Sequence, residues 1–166
     1  MNELEAYGQT VEHIRLVQRL LLSAQVELSR RAVTHDQSKL ESPEWEMFRD
    51  VTHTLRGLTY GSDEYKAQLE QMRTEGALAH HYEHNRHHPE HFPKVIEGMN
   101  LFDLLEMLID WMAATKRHDD GDIQKSIEIN RERFGMSPQL VAIFQNTVPW
   151  IKDEFEMLHT QKDITP

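Results

Sequence analysis

"NLFDLLEMLIDWMAATKRH", residues 100–118, is the most apolar helix-length stretch of this 166-residue chain. Its leucine, isoleucine and methionine side chains recur at intervals of three and four residues, the spacing that places them on one face of an α-helix. Asn100 stands directly before the apolar run, and asparagine is favoured at helix N-caps, so the helix is predicted to begin there. Asp110 interrupts the apolar face, where a carboxylate is costly unless it is paired or bound to a metal.

Helical spacing continues on both sides of this stretch. Thr34 and Ser42 are predicted N-caps, Gly57 is predicted to end the helix that Ser42 begins, and the last helix is predicted to kink at Pro149. Residues 85–99 are predicted to form a loop, and no segment alternates apolar and polar residues as a strand does. The predicted helices cover residues 10–31, 34–40, 42–57, 62–84, 100–118, 120–135 and 137–159. The apolar face of the first is formed by Val11, Ile14, Val17, Leu21, Ala24 and Leu28.

The length and the ends of the chain restrict the class of protein. A chain of 166 residues can bury one core, and we predict a single all-α domain over residues 1–166, a compact bundle of about six to seven helices. No apolar run approaches the roughly 20 residues that cross a bilayer. The acidic, polar start "MNELEAYGQTVEH" is unlike a cleaved signal peptide. We therefore expect a cytoplasmic protein that does not enter membranes.

Charge and cysteine content restrict the ligands. The formal net charge is −10 and the basic residues are scattered, so polymeric DNA or RNA is not an expected partner. A small anionic ligand remains compatible with this charge if a metal and a few Lys or Arg residues reverse the field locally. Cysteine is absent, so any metal must take nitrogen and oxygen ligands.

The histidines are concentrated in "ALAHHYEHNRHHPEHFP", residues 77–93, which holds six of the 11 in the chain. Neutral imidazole is the commonest metal ligand in proteins, so this segment is a candidate metal site. A solvated, His-rich surface loop is the alternative. Helical spacing lets few of these side chains face inward together, so we predict that two or three bind metal, and that His91 does not. The six are His80, His81, His84, His87, His88 and His91, and the favoured ligands are His80, His81 and His88.

The adjacent pair His35–Asp36 is a second candidate. An imidazole and a carboxylate side by side can bind one metal together. Lys39 lies one helical turn beyond His35, from where its ammonium group can reach an anion on that metal. Ordinary capping by an aspartate near a helix start is the alternative.

Two more residues are candidate ligands on other helices. His13 borders the apolar face of the first helix, and the alternative for it is a hydrogen-bonded histidine in the core. Asp110 is the carboxylate that interrupts the apolar helix. Asp103, Glu106 and Asp110 stand at i, i+3 and i+7, so a solvated acidic stripe is the alternative for Asp110.

In chain order these candidates are a histidine, a His–Asp pair, a histidine-rich segment and an aspartate. This order resembles the HD-domain superfamily of metal-dependent phosphohydrolases, an all-α fold that collects its ligands as H…HD…(H…H)…D. "HDQSK" is similar to the HDxxK signature of that superfamily, and "HHYEHNRHHPEHF" is similar to the histidine-rich segment of its two-metal members. The chain also resembles an uncharacterised family of short phage and bacterial proteins with the same "NRHHPEHF" and "GDI" stretches, which implies no activity.

The HD-domain resemblance implies a metal-dependent phosphohydrolase acting on a nucleotide or another small phosphorylated metabolite. It implies one or two divalent transition-metal ions, and nitrogen and oxygen ligands suit Mn, Fe, Co, Ni or Zn. The implied catalytic residues are Asp36 and Lys39. The implied metal ligands are His13, His35, Asp36, His80, His81, His88 and Asp110. The candidate substrate-binding residues are Lys39, His84, Arg86, Lys116 and Arg117, and plain solubility is the alternative for the cationic ones.

Two other functions fit the same residues. A minority of the HD superfamily uses two irons to activate O₂, and the supply of ligands here suits such a di-iron oxygenase as well. The chain could instead bind and sequester a nucleotide without turnover, with the histidines forming a structural metal clip or a pH-sensitive surface. A homo-oligomer is compatible with each of these functions.

Overall fold

The computed structural model describes residues 2–56, 76–117 and 121–160, together with positions 58, 62–64, 67 and 70. Within these residues the secondary structure is helical, which confirms the predicted all-α fold. Short 3₁₀ helices cover Gln37–Leu40, Pro89–His91 and Val95–Gly98. The α-helices whose bounds fall within the described residues are α1 (Glu3–Thr34), α2 (Glu44–Arg56), α3 (Ala77–His84), α4 (Leu101–Thr115), α5 (Ile123–Phe134) and α6 (Pro138–Thr160).

Helix α4 begins where the sequence predicts. The side chain of Asn100 accepts hydrogen bonds from the backbone N–H groups of Phe102 and Asp103, at 2.8 and 3.0 Å. The carboxylate of Asp103 accepts one in return from the backbone N–H of Asn100, at 2.9 Å. This capping box satisfies N–H groups that have no partner inside the helix. From this start α4 packs against α5 and α6 around a core of Met107, Leu108, Ile127, Phe144 and Val148.

A buried carboxylate ties the end of α1 to the start of α4. The Asp103 side chain is fully buried, and its oxygens lie 2.9 Å from Arg31 Nη1 and 3.1 Å from Arg86 Nη2. Arg31 belongs to the last turn of α1, and Arg86 follows α3. Because a buried charge needs a partner, these ion pairs hold three separate segments in one place.

A second small core joins α2 to α3. Met47, Ala77 and Leu78 are buried together, with Phe48 and Tyr82 packed against them. This contact sets the position of α3, and with it the position of the histidines on α3 and on the loop beyond.

Several predicted boundaries are wrong, for local reasons. Thr34 does not cap a second helix, because its hydroxyl donates to the carbonyl oxygen of Arg30 within α1. Gly76 has φ of +82°, a left-handed conformation that interrupts the predicted helix 62–84, so α3 starts only at Ala77. The predicted helix end at Gly57 and most of residues 59–75 lie outside the described residues.

The predicted apolar face of α1 exists, but it is not buried. No residue of α1 is buried, and among the described side chains Ile14 is 49% exposed and Leu21 66% exposed. The spacing therefore predicts the helix correctly and its burial wrongly. No helix among the described residues is both long enough and apolar enough to cross a membrane.

Candidate metal centre

The His35–Asp36 pair lies at a sharp turn that ends α1. His35 is the C-cap residue of α1, and Asp36 adopts a left-handed conformation with φ of 56° before the 3₁₀ helix Gln37–Leu40. Aspartate is one of the few residues other than glycine that tolerate this region. The turn brings the two side chains together, with His35 Nε2 3.5 Å from Asp36 Oδ2.

Helix α4 supplies two carboxylates one turn apart, which both reach His35. Asp110 Oδ1 lies 3.6 Å from His35 Nε2, and Glu106 Oε1 lies 2.9 Å from His35 Nδ1. Asp110 therefore faces the His–Asp pair, as a ligand would, and Glu106 holds the imidazole from behind.

Three histidines approach from α3 and from the loop after it. His81 lies on α3, and Asn85 ends that helix with an extended backbone, so His87 and His88 point back toward it. His81 Nε2 and His87 Nε2 each lie 3.4 Å from Asp36 Oδ1. His88 Nε2 lies 2.8 Å from His81 Nε2. His81 and His87 are the most deeply buried, each only 2% exposed.

These side chains form two overlapping groups in which the potential ligand atoms all lie within 4.8 Å of one another. Asp36 and His87 belong to both groups. The buried groups could hold a metal ion. One consists of Asp36, His81, His87 and His88, and the other of His35, Asp36, His87 and Asp110.

Carboxylates on the outer side of His35, His87 and His81 contact Nδ1 of each ring, so that Nε2 faces the centre. Glu106 Oε1 lies 2.9 Å from His35 Nδ1 and 3.3 Å from His87 Nδ1. Glu44 is fully buried and its Oε2 lies 2.8 Å from His81 Nδ1. Because a carboxylate accepts, each of these Nδ1 atoms carries a proton, and each Nε2 faces the centre. Such outer carboxylates are a regular feature of histidine metal sites.

Two buried atoms of the centre have no hydrogen-bond partner among the described residues. They are Asp36 Oδ1 and His87 Nε2, and they lie 3.4 Å apart. An unsatisfied buried polar atom costs about 1–3 kcal/mol, and two acceptors facing each other repel. A cation bound by both atoms would remove this cost, so the donor set fits a metal ion.

The protonation states of His88, His81 and Asp110 suit metal binding, whereas His35 has to lose a proton first. Burial, together with the neighbouring histidines His87 and His81, lowers the pKa of His88 to about 2, and burial lowers the pKa of His81, so both imidazoles are neutral. Burial opposes ionisation of Asp110, but the interaction with His35 prevails and lowers its pKa to about 2. Asp110 and then Glu106 raise the pKa of His35 to about 10. An ion bound at His35 Nε2 would therefore replace a proton there.

Comparison with known families assigns the chain to one of them. A family model described as "Family of unknown function (DUF5662)" matches residues 2–149, a range that includes every residue of the centre. The chain belongs to this family. No curated protein and no solved structure matches it. Membership of the DUF5662 family brings no activity with it, so function has to be argued from the site.

Two predicted ligands of this DUF5662 chain, His13 and His80, lie outside both groups. His13 is an exposed residue of α1, 22 residues before His35, which is about 33 Å along a helix. His80 is also outside both groups, because its Nδ1 lies 2.6 Å from Glu44 Oε1 instead.

The remaining histidines of residues 77–93 make local contacts. His84 is exposed, with Nδ1 2.8 Å from the carbonyl oxygen of His80 and its ring stacked on that of His80. His91 lies outside both groups, with Nδ1 2.8 Å from the carbonyl oxygen of Tyr82.

The cationic side chains that are predicted to bind substrate lie at different distances from the centre. Lys39 adjoins it, with Nζ 2.5 Å from Asp36 Oδ2. Arg86 forms an ion pair with the buried Asp103, and its guanidinium lies over the Phe92 ring. Lys116 and Arg117 follow α4 and are exposed, with Lys116 Nζ 3.8 Å from the Phe155 ring centroid. Of these cations, Lys39 alone is in contact with a residue of the two groups.

Three residues of the centre are missed by sequence reasoning. Glu44 follows Pro43 in a first helical turn, where acidic residues are ordinary, and Glu106 belongs to what reads as a solvated stripe. His87 lies beyond the end of α3, where helical spacing no longer predicts direction. Pro89 is the one local signal, because it disfavours helix at the preceding residue and so places this part of the segment outside the helix.

Glu106→Gln is expected to weaken metal binding roughly 10- to 100-fold while leaving the fold intact. The neutral amide keeps the shape of the side chain but no longer strengthens His35 and His87 as ligands. Competition with a chelator measures the affinity, and circular dichroism checks the fold. The matched control is Glu132→Gln, since Glu132 is 78% exposed. Equal metal affinity in the two variants would mean that Glu106 does not serve the centre.

Proposed function

We propose that the chain is a metal-dependent phosphohydrolase that acts on a nucleotide or another small phosphorylated metabolite. The observation that supports this most strongly is the convergence of the His35–Asp36 pair with Asp110 and with buried histidines from a third segment. The same combination of His–Asp pair, histidines and final aspartate is what the sequence shares with the HD-domain superfamily.

The proposed centre binds one or two divalent ions among Mn, Fe, Co, Ni and Zn, which accept nitrogen and oxygen ligands. When bound, such ions supply a nucleophilic water at neutral pH and neutralise charge on a phosphoryl group. The two oxygens of Asp36 face different partners, Oδ1 toward His81 and His87 and Oδ2 toward His35. Asp36 would therefore help to hold an ion in either ligand group.

We propose that a phosphate approaches from the open side of the centre. His35, Asp110 and Lys39 have side chains 25–31% exposed, whereas His81 and His87 are buried behind them. Lys39 thus places an ammonium group at the rim, beside Asp36 Oδ2 and 4.9 Å from the Phe48 ring centroid. We assign to it the contact with non-reacting phosphate oxygens, because a charge-assisted hydrogen bond there strengthens as negative charge grows.

Lys39→Met is expected to keep fold and bound metal but to lower turnover on a phosphate substrate by roughly 10²-fold, on the order of 2.7 kcal/mol. A protonated lysine is not a metal ligand, so its loss removes a fixed cation and leaves the donor set complete. Steady-state kinetics and metal content are measured together. Lys125→Met, on the exposed side of α5, is the control and should stay within about twofold of the wild type. Loss of metal from Lys39→Met would contradict the assigned role.

The experiment that tests the proposal combines metal analysis with a phosphate-release screen over nucleotides and small phosphate esters. At least one transition-metal ion per chain and metal-dependent phosphate release from one compound are expected. A metal-free protein after purification without chelators, and after incubation with each ion, would refute the metal centre. Consumption of O₂ with a paramagnetic mixed-valent signal after anaerobic purification would identify a di-iron oxygenase instead. Stoichiometric nucleotide binding without turnover would identify a sequestering protein.

A further inference from the structure

Helix α1 presents an apolar surface that the structure leaves exposed. It has 32 residues and none is buried. A helix of that length extends for about 48 Å. Along it Tyr7 is 68% exposed, Leu20 62% and Leu21 66%. Extended apolar surfaces of this kind mark sites of interaction, because isolated exposed leucines are common but continuous stripes are not.

The stripe follows the seven-residue repeat of helices that pair with other helices. Tyr7, Ile14, Leu21 and Leu28 are each seven residues apart. Leu4 and Val11 stand three residues before Tyr7 and Ile14. Val17 and Ala24 stand three residues after Ile14 and Leu21. A stripe with spacing of three and four residues packs as a coiled coil. The occupant that this pattern favours is therefore another helix of similar length.

The charges on α1 favour a second α1 running in the opposite direction. Glu3, Glu5 and Glu12 lie in its first half, whereas Arg15, Arg19 and Arg30 follow, with Glu27 as the one later acid. Arg31 is already paired with Asp103 and Glu106 and does not enter this comparison. Four glutamates and four arginines make α1 neutral within a chain of net charge −10. Antiparallel pairing puts the acidic end of each helix beside the basic end of the other, whereas parallel pairing puts like charges together.

We propose that the chain forms a homodimer in which α1 packs antiparallel against α1 of a second copy. The register that pairs Leu4 with Leu28 and Val11 with Leu21 across a two-fold axis overlaps residues 3–29 of the two helices. Each such pair recurs by symmetry, as an isologous interface requires. The inference rests on α1 alone and is independent of the proposed activity.

The first test is the mass in solution. Light scattering should give twice the chain mass of 19.6 kDa for the wild type. Leu21→Glu places a charge in the centre of the stripe and should raise the dimer dissociation constant by on the order of 100-fold or more. Val26→Glu is the matched control, since Val26 is 51% exposed on the same helix but lies about 140° away from Leu21. Its dissociation constant should stay within a few-fold of the wild type.

The second test uses the absence of cysteine to determine orientation. Tyr7→Cys and Gln25→Cys are made as separate single-cysteine proteins, since both positions are exposed. In the proposed register residue 7 of one copy meets residue 25 of the other, so an oxidised mixture should give a mixed disulfide dimer. Each protein alone should not cross-link, because its own cysteines would lie about 27 Å apart.

Four outcomes would overturn the proposal. Cross-linking of Tyr7→Cys with itself would show a parallel pair. A monomer at all concentrations, with α1 amides protected from exchange, would show that other residues of the same chain cover the stripe. A monomer that sediments with phosphatidylcholine vesicles would show that the stripe binds a lipid surface. A dimer unaffected by Leu21→Glu would place the interface elsewhere.

Discussion

Asp36→Asn is expected to remove the bound metal and to reduce phosphate release by at least about 10³-fold, on the order of 4 kcal/mol of transition-state stabilisation. Asp36 belongs to both ligand groups, so its replacement damages the whole centre at once. Asparagine preserves the shape of the side chain but removes the negative charge, and its amide nitrogen cannot coordinate a cation. The remaining imidazoles then lack the shared carboxylate that brings them to one point.

The measurement for this prediction is metal content by mass spectrometry after dialysis against a defined concentration of each ion. The control is Asp50→Asn, because Asp50 is an exposed carboxylate of α2 whose partner is Arg49. Circular dichroism should be alike for both variants. If Asp36→Asn retains one ion per chain with unchanged affinity, the assignment of the centre is wrong.

His87→Ala is expected to lower metal affinity by at least about 10²-fold and to reduce activity in parallel, whereas His80→Ala is expected to lower affinity by about tenfold or less. His87 belongs to both ligand groups, and its Nε2 is one of the two buried atoms without a hydrogen-bond partner among the described residues. His80 reaches the centre only through Glu44, which also holds His81. Both substitutions remove an imidazole, but His87 belongs to the ligand groups whereas His80 lies behind Glu44.

Isothermal titration of the metal-free variants gives both affinities directly. His91→Ala serves as a third variant, because His91 bonds a backbone carbonyl and lies outside both groups. It should bind metal like the wild type. A larger loss for His80→Ala than for His87→Ala would reverse the assignment made from the geometry.

The helices were predictable because their causes are local. The spacing of apolar residues in 100–118 and the cap at Asn100 are both read within a few residues, and the structure has them where they were expected. The end of α3 at His84 is likewise local, since Asn85 and the prolines beyond it leave helical geometry. The break at Gly76 was not predicted, because glycine inside a helix is tolerated in some contexts and interrupts the helix in others.

Part of the centre was predictable for a similar reason. His35 and Asp36 are neighbours in the chain, and Asp110 is conspicuous as a charge in an apolar helix, so each carries its own signal. For His87 the one signal is Pro89, which places this part of the segment outside the helix but does not give the direction of the side chain. His13 carries a misleading signal. Its border position on α1 suggests a ligand, but His13 lies about 33 Å from His35 along the helix.

The sequence by itself therefore determined the all-α fold, the absence of thiolate ligands, the His–Asp pair and the position of Asp110 in an apolar helix. The tertiary structure decided which imidazoles join that pair, and it revealed Glu44 and Glu106 behind them. It also decided that the apolar face of α1 is exposed in a single chain. The physical reason is that helical spacing relates residues within one helix. Convergence of α1, α3 and α4 on one point depends on the packing of separate helices and on the ion pairs of Asp103, which spacing along the chain does not encode.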